Sequence, residues 1–141
     1  MHKPFYASGF LFHLPSQQIL LQQLTTDNET KLTLFRELSN NGEKPQSVFR
    51  HCIETTLGIS IPESSIYPVY DYIHETLGEH FIFYADIVNL EKISAKEKTK
   101  CIVLAKLSKF KMNEQTRHDI IIGERVIRSR FEGPRVTPQT L

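Results

Sequence analysis

The sequence predicts an α+β fold, an α/β/α sandwich in which helices cover both faces of one mixed sheet. Runs rich in aromatic and β-branched residues recur between Phe5 and Leu107. Two segments of helical spacing, Pro45–Leu57 and Asn113–Arg130, interrupt and then close that series. The chain has 141 residues, 40% of them hydrophobic and 23% charged, which suits one domain with its own core. We place that domain at residues 1–132. Residues 133–141, which include two prolines, are expected to form a loose tail.

The elements follow in order. Phe5–Leu14 is aromatic and apolar and reads as a strand. Pro15-Ser16-Gln17 supplies a turn, and Gln18–Leu24 returns as a second strand. Thr25–Thr30 is polar and loop-like, Lys31–Phe35 is a short strand, and Arg36–Lys44 is a loop. Pro45 suits the first helical position, where its missing N–H costs nothing, and Gly58 suits the stop. Between them Val48, Phe49, Cys52 and Ile53 form one apolar stripe. Ile59–Ile61 is a brief extended piece. Ile66–Glu75 and His80–Asn89 form a hairpin around Thr76–Glu79, and Thr99–Leu107 is a further strand. Asn113 caps the last helix, with Glu114 well placed in its first turn.

Composition excludes several classes. No apolar run approaches the ~20 residues that a bilayer demands, and Met1–Gly9 has no apolar leader core. Cys52 and Cys101 are too few and too far apart for a disulfide framework or a clustered zinc site. A cytoplasmic domain without a membrane partner is expected. Seven Lys/Arg and twelve Asp/Glu precede residue 98, whereas ten and four follow. The bland account is that the two parts neutralise one another when packed. A pI near 7.8 argues against a nucleic-acid-binding role for the basic third.

Gly42-Glu43-Lys44-Pro45, the helix and Leu57-Gly58-Ile59 together resemble the signature of the Nudix hydrolases, G-x5-E-x7-R-E-U-x-E-E-x-G-U, with U aliphatic. Anchored on Gly58-Ile59, the signature matches at Glu43, Ile53, Gly58 and Ile59. It departs at Glu37 (for glycine), His51 (for arginine), and Cys52, Thr55 and Thr56 (for glutamates). The order of elements around this box is also similar to the family's.

The resemblance implies a Nudix-like mixed sheet flanked by helices. It also implies where chemistry has changed. In the family, glutamates at i, i+3 and i+4 share one helix face and converge on Mg²⁺, which needs hard anionic oxygens. Here that face offers one thiol and two hydroxyls, so no metal site of the family's kind and no cofactor is expected. The expected function is therefore that of a Nudix-like domain with weakened or lost catalysis, binding a nucleotide-like ligand or a protein partner. The alternative is an active hydrolase of nucleoside diphosphates linked to another moiety. It would use Mg²⁺ or Mn²⁺ held by displaced carboxylates.

Glu43 and Glu54 are the candidate catalytic residues for that alternative. Arg36, Arg50, His51, Tyr70 and Tyr72 are the candidate ligand-binding residues, the two tyrosines because they share a strand face and could stack on a base. His74, Glu75, Glu79 and His80 are expected to be a solvated turn. Gly123, inside a helix, points to close packing there, and His118-Asp119 lacks the nucleophile of a triad.

Overall fold

A computed structural model describes residues 4–26, 29–39, 42–94 and 98–132. The predicted tail lies outside them. In chain order the elements are β1 (Phe5–His13), β2 (Gln18–Thr26), β3 (Glu29–Thr33), β4 (Phe35–Leu38), α1 (Pro45–Leu57), β5 (Ile66–His74), β6 (Gly78–Asp86), α2 (Leu90–Ser94), β7 (Thr99–Val103) and α3 (Glu114–Glu132). Among the described residues the strands make one seven-stranded sheet. Its central path runs β3-β2-β1-β6-β5, with β4 also on β1 and β7 also on β2.

β1 organises this sheet. It pairs in parallel with β6 along its whole useful length, from Phe5↔Glu79 to Phe12↔Asp86. Its other edge is shared: the first half takes β4 and the second half β2, both antiparallel. Because side chains alternate along a strand, β1 sends Ala7 and Leu11 into the core under α1, with Leu20, Phe49, Cys52 and Ile53. It sends Phe10 and Phe12 to the other face, with Ile82, Tyr84, Ile120 and Ile127 beneath α3. Helices on both faces and a mixed sheet are as the sequence predicts.

α1 covers the predicted residues. Pro45 opens it, and Gly58 ends it at φ 69°, in the left-handed region, with its amide on the Glu54 carbonyl. Asn113 caps α3, its Oδ1 accepting the Thr116 N–H at 2.7 Å. Elsewhere the boundaries need correction. The polar stretch 25–30 is not simply a loop, because β2 continues to Thr26 and β3 begins at Glu29; the Thr25 and Thr30 hydroxyls lie 3.1 Å apart across the pair. The loop expected from Arg36 begins only after β4, a strand too short for alternation to show. β6 starts at Gly78 and stops at Asp86, α2 was not foreseen, and β7 gives way to 3₁₀ turns over Leu104–Lys109. Ile59–Ile61 forms no strand.

The charge asymmetry is partly absorbed by packing. Lys111 pairs with Glu29 at 3.1 Å and Arg130 with Asp86 at 2.6 Å, each joining the basic third to the acidic part. Arg117 instead ties α3 to the preceding turns by donating to the carbonyls of Leu107 and Phe110.

Gly123 lies where α3 packs over the Phe10 ring, and an ideal Cβ there would stand 2.7 Å from that buried ring. Helix propensity alone would reward Gly123→Ala by about 1 kcal/mol. Overpacking should reverse that sign, and urea denaturation should show Gly123→Ala destabilised by roughly 1–3 kcal/mol. An unchanged or raised midpoint would show that α3 can lift away without cost.

Candidate functional site

The predicted site residues fall on two opposite faces of the sheet. Glu43, Arg50, His51 and Glu54 stand on or beside α1. Arg36, Tyr70 and Tyr72 line or border a cavity of about 480 Å³ under the start of α3. Adjacent residues of β4 divide the two groups, Arg36 pointing to the cavity face and Glu37 to α1.

On the α1 side, His51 Nδ1 lies 2.7 Å from Glu37 Oε2. That hydrogen bond, then the Glu37 charge and more distantly Glu43 and Glu54, hold the imidazole above its usual range. Arg50 Nε donates to Glu54 Oε1 at 3.1 Å, one turn apart. Glu43 is exposed in the segment leading to Pro45. The face that would carry the family's glutamates is spent differently. Cys52 is buried in the α1 core, and burial pushes its thiol up to about 11, so it is uncharged at neutral pH. Thr55 turns its hydroxyl back onto the His51 and Cys52 carbonyls of its own helix. Thr56 Oγ1 is 4.0 Å from the Cys52 sulfur. Magnesium needs several anionic oxygens here and finds none on these three side chains. Among the described residues, no group of three His, Cys, Asp or Glu is placed to hold a metal ion.

The cavity side is built on a row of rings. Tyr6, His80 and Tyr72 occupy directly opposed positions on β1, β6 and β5. Their rings stack at 4.9 Å and 4.9 Å, near the strand spacing itself. Rings stacked across strands stand upright on the sheet, so edges and polar tips rather than faces form the floor. The Arg36 guanidinium lies 4.7 Å from the Tyr6 ring at one end. Tyr70 follows at the other, 5.6 Å from Tyr72.

Three polar groups give the cavity its chemistry. Asp119 is 3% exposed, and its Oδ1 accepts from the Tyr70 hydroxyl at 2.5 Å and from the Gln115 amide at 2.8 Å. Burial raises its pKa, while those two hydrogen bonds work against the rise. Burial and the neighbouring Asp119 likewise raise the Tyr70 phenol, which therefore stays protonated as the donor. Ser8, also 3% exposed, lines the cavity with a hydroxyl that has no hydrogen-bond partner among the described residues. Arg36 has no carboxylate partner among the described residues.

Sequence reasoning missed Ser8, His80 and Asp119. His80 is 3% exposed and not part of a solvated turn, which corrects the expectation for that residue. Its signal was the alternation His80-Ile82-Tyr84, which places it on the inner face of β6. Of its neighbours in that expected turn, His74, Glu75 and Glu79 are exposed as foreseen.

The chain matches a mutT/nudix family protein from Listeria innocua with a TM-score of 0.74 over 94% of this chain and 98% of that one, at 13% identity. The chain has the Nudix fold. The NUDIX domain of Shewanella oneidensis NrtR, complexed with ADP ribose, aligns with a TM-score of 0.65 at 12% identity over 90% of each chain. The C-terminal domain of mouse MUTYH, in complex with human PCNA, aligns at 0.69 and 9% over 94% of this chain and all of that one. No family model matches the sequence, and comparison with curated proteins returns no significant relative. No described helix is long and apolar enough to cross a membrane.

Two titrations follow. A histidine whose folded pKa is raised adds stability below its unfolded value, and that stability is lost as pH rises through the folded value. The His51 midpoint followed by NMR should therefore lie above 6.5 and drop in Glu37→Gln; an unmoved midpoint would mean the pair does not persist in solution. Asp119 has the opposite sign, since a carboxyl with a raised folded pKa costs stability as pH rises above the ordinary range. Asp119→Asn keeps an oxygen for Tyr70 and Gln115, so it should melt progressively higher than wild type from pH 4 to 7. A constant difference across that range would show that Asp119 ionises as freely as in the unfolded chain.

Proposed function

We propose that this domain binds a nucleotide-like ligand in the α3-side cavity and has lost, or nearly lost, the metal-dependent hydrolysis associated with its fold. The observation that carries this reading is the state of α1. Cys52 is a buried neutral thiol, Thr55 is bonded to its own helix, and neither can supply the charge that Mg²⁺ or Mn²⁺ requires. Without the ion there is nothing on that face to activate water or to neutralise a leaving phosphate. The cavity is separate from that loss. It keeps a size typical of small-molecule sites, with an unpartnered serine, a buried carboxylate and a guanidinium directed at it.

The fold is used in more than one way among its structural neighbours: ADP ribose accompanies it in NrtR and PCNA in MUTYH. A ligand is favoured over a protein partner here because the unsatisfied polar groups converge inside a cavity rather than on an open patch. Leaving the buried Ser8 hydroxyl without a partner costs about 1–3 kcal/mol, and a polar ligand removes that cost.

One observation favours a second reading, an active hydrolase with displaced carboxylates. Glu37, Glu43 and Glu54 all act electrostatically on His51, so negative charge does gather beside α1. A metal there would have to break the Glu37–His51 and Glu54–Arg50 pairs.

Thermal melting with a nucleotide panel distinguishes the two. A ligand at 100 times its dissociation constant adds about 2.7 kcal/mol, several degrees for a domain of this size. In EDTA, stabilisation by at least one nucleotide is expected, and Mg²⁺ or Mn²⁺ should add neither stability nor turnover of pyrophosphate-linked nucleotides. Metal-dependent turnover lost in Glu43→Gln or Glu54→Gln would establish the second reading and overturn the first. A flat response to every nucleotide would sink both and leave a protein partner.

A further inference from the structure

We propose that the chain forms a two-fold dimer in which β5 pairs antiparallel with β5 of a second copy, with Tyr72 on the axis. The interface lies at the edge of the sheet and does not depend on what the cavity binds.

β5 is the last strand on its side of the sheet, and among the described residues it pairs only with β6. One row of its N–H and C=O groups therefore faces outward, a template on which another strand can add. Pro68 and the irregular pairing between Pro68 and Tyr70 guard the first part of this edge. Beyond them, Tyr70–His74 has neither proline nor lysine, and Ile73 is 79% exposed. An apolar side chain that open, on an edge without a guard, marks a pairing surface.

The residues select both the partner and the register. A two-fold axis perpendicular to the sheet keeps like faces together, so one residue must stand opposite its own copy. With Asp71 there, two carboxylates face each other. With Ile73 there, Asp71 faces Glu75. Of the three central residues of the unguarded run, only Tyr72 avoids both like-charge pairs, setting Asp71 opposite Ile73 and Tyr70 opposite His74.

The same choice extends the ring row. Tyr6, His80 and Tyr72 stack across β1, β6 and β5 at 4.9 Å and 4.9 Å. Tyr72 of the second copy continues that row at the next strand interval. The helix layer leaves room for this. Gly123 lies between the Phe10 ring of β1 and Val69 of β5, so the middle of α3 runs above β6. Across the axis the two β6 strands are three intervals apart, about 14 Å, whereas packed helices need only about 8–10 Å.

Pairing also covers an apolar groove between β5 and α3, floored by Tyr67, Pro68, Ile122 and Val126. Pro68 stands opposite Phe83, three residues along β6 from the His80 that faces Tyr72. The hairpin tip begins equally far from Tyr72 in the other direction. The tip of the second copy, with the exposed Leu77, therefore comes to lie beside the groove. One strand edge and two such grooves make a small interface, of the class that dissociates in the micromolar range.

Sedimentation equilibrium of the full chain between about 1 and 100 µM tests this. The mass is expected to rise from monomer to dimer. Ile73→Glu sets a carboxylate opposite Asp71 of the other copy and should raise the dissociation constant at least tenfold. Adding Asp71→Lys to that variant sets opposite charges face to face and should restore the dimer. Amide exchange provides a readout without substitution: Tyr70–His74 should slow as the concentration rises. A chain that stays monomeric throughout overturns the proposal, as does a dimer indifferent to Ile73→Glu. A dimer that Ile73→Glu breaks and Asp71→Lys does not restore overturns the register centred on Tyr72.

Discussion

The parallel pairing of β1 with β6 decides which side of the molecule each residue serves. A shift of one residue in that register would exchange every inward and outward side chain. Two close contacts oppose such a shift. An ideal Cβ on Gly9 would stand 2.2 Å from the Phe83 carbonyl oxygen and 2.7 Å from the Phe49 ring, so α1 and β6 both approach β1 where it lacks a side chain. On the other face Gly123 admits Phe10 beneath α3. The same register sets Tyr6 opposite His80, while the β1–β4 pairing sets Ser8 beside Arg36. The cavity floor is thus a by-product of the pairing that also builds the core.

Opposite faces of one sheet have separate chemistries in this chain. The α1 face retains the helix, its proline start and its left-handed glycine stop, which are backbone features and survive changes of side chain. Its box positions carry Cys52, Thr55 and Thr56, and the neighbouring Glu37 and Glu54 are engaged in pairs with His51 and Arg50. The α3 face carries polar groups that no packing argument requires. A buried polar group is costly unless it is bonded; Asp119 has Tyr70 and Gln115 on one oxygen, whereas the Ser8 hydroxyl has no partner among the described residues.

Much of the fold was legible in the sequence because its signals are local. Pro45, Gly58 and the stripe between them define α1 completely, and Asn113 marks the start of α3. Aromatic and apolar runs bounded by turn residues located β1, β2, β5 and β6. β4 was not legible because four residues carry too little alternation, and only its pairing with β1 makes it a strand. The site was less legible than the fold. The residues Cys52, Thr55 and Thr56 on that helix face could be read off because the box is a contiguous motif. The cavity could not be read, since Ser8, Arg36, His80 and Asp119 come from β1, β4, β6 and α3. His80 was hidden by its neighbours: a histidine beside Glu79 at a turn looks solvated, and only the strand parity of β6 turns it inward.

The upright ring row changes how a ligand must be recognised here. Aromatic residues beside a cavity are ordinarily stacking platforms, worth about 1–3 kcal/mol for a base. His80 cannot act so, because Tyr6 and Tyr72 cover both its faces, and Arg36 lies over Tyr6. The row therefore holds the floor rigid and leaves discrimination to hydrogen bonds from its edges and from α3. A site of that kind would reject a ligand that fails to satisfy the buried Ser8 hydroxyl more strongly than a stacking site would, because the mismatch leaves a buried polar group unpaired. Tyr70 and Gln115 fix the Asp119 carboxylate from one side, so that it too is held rigidly.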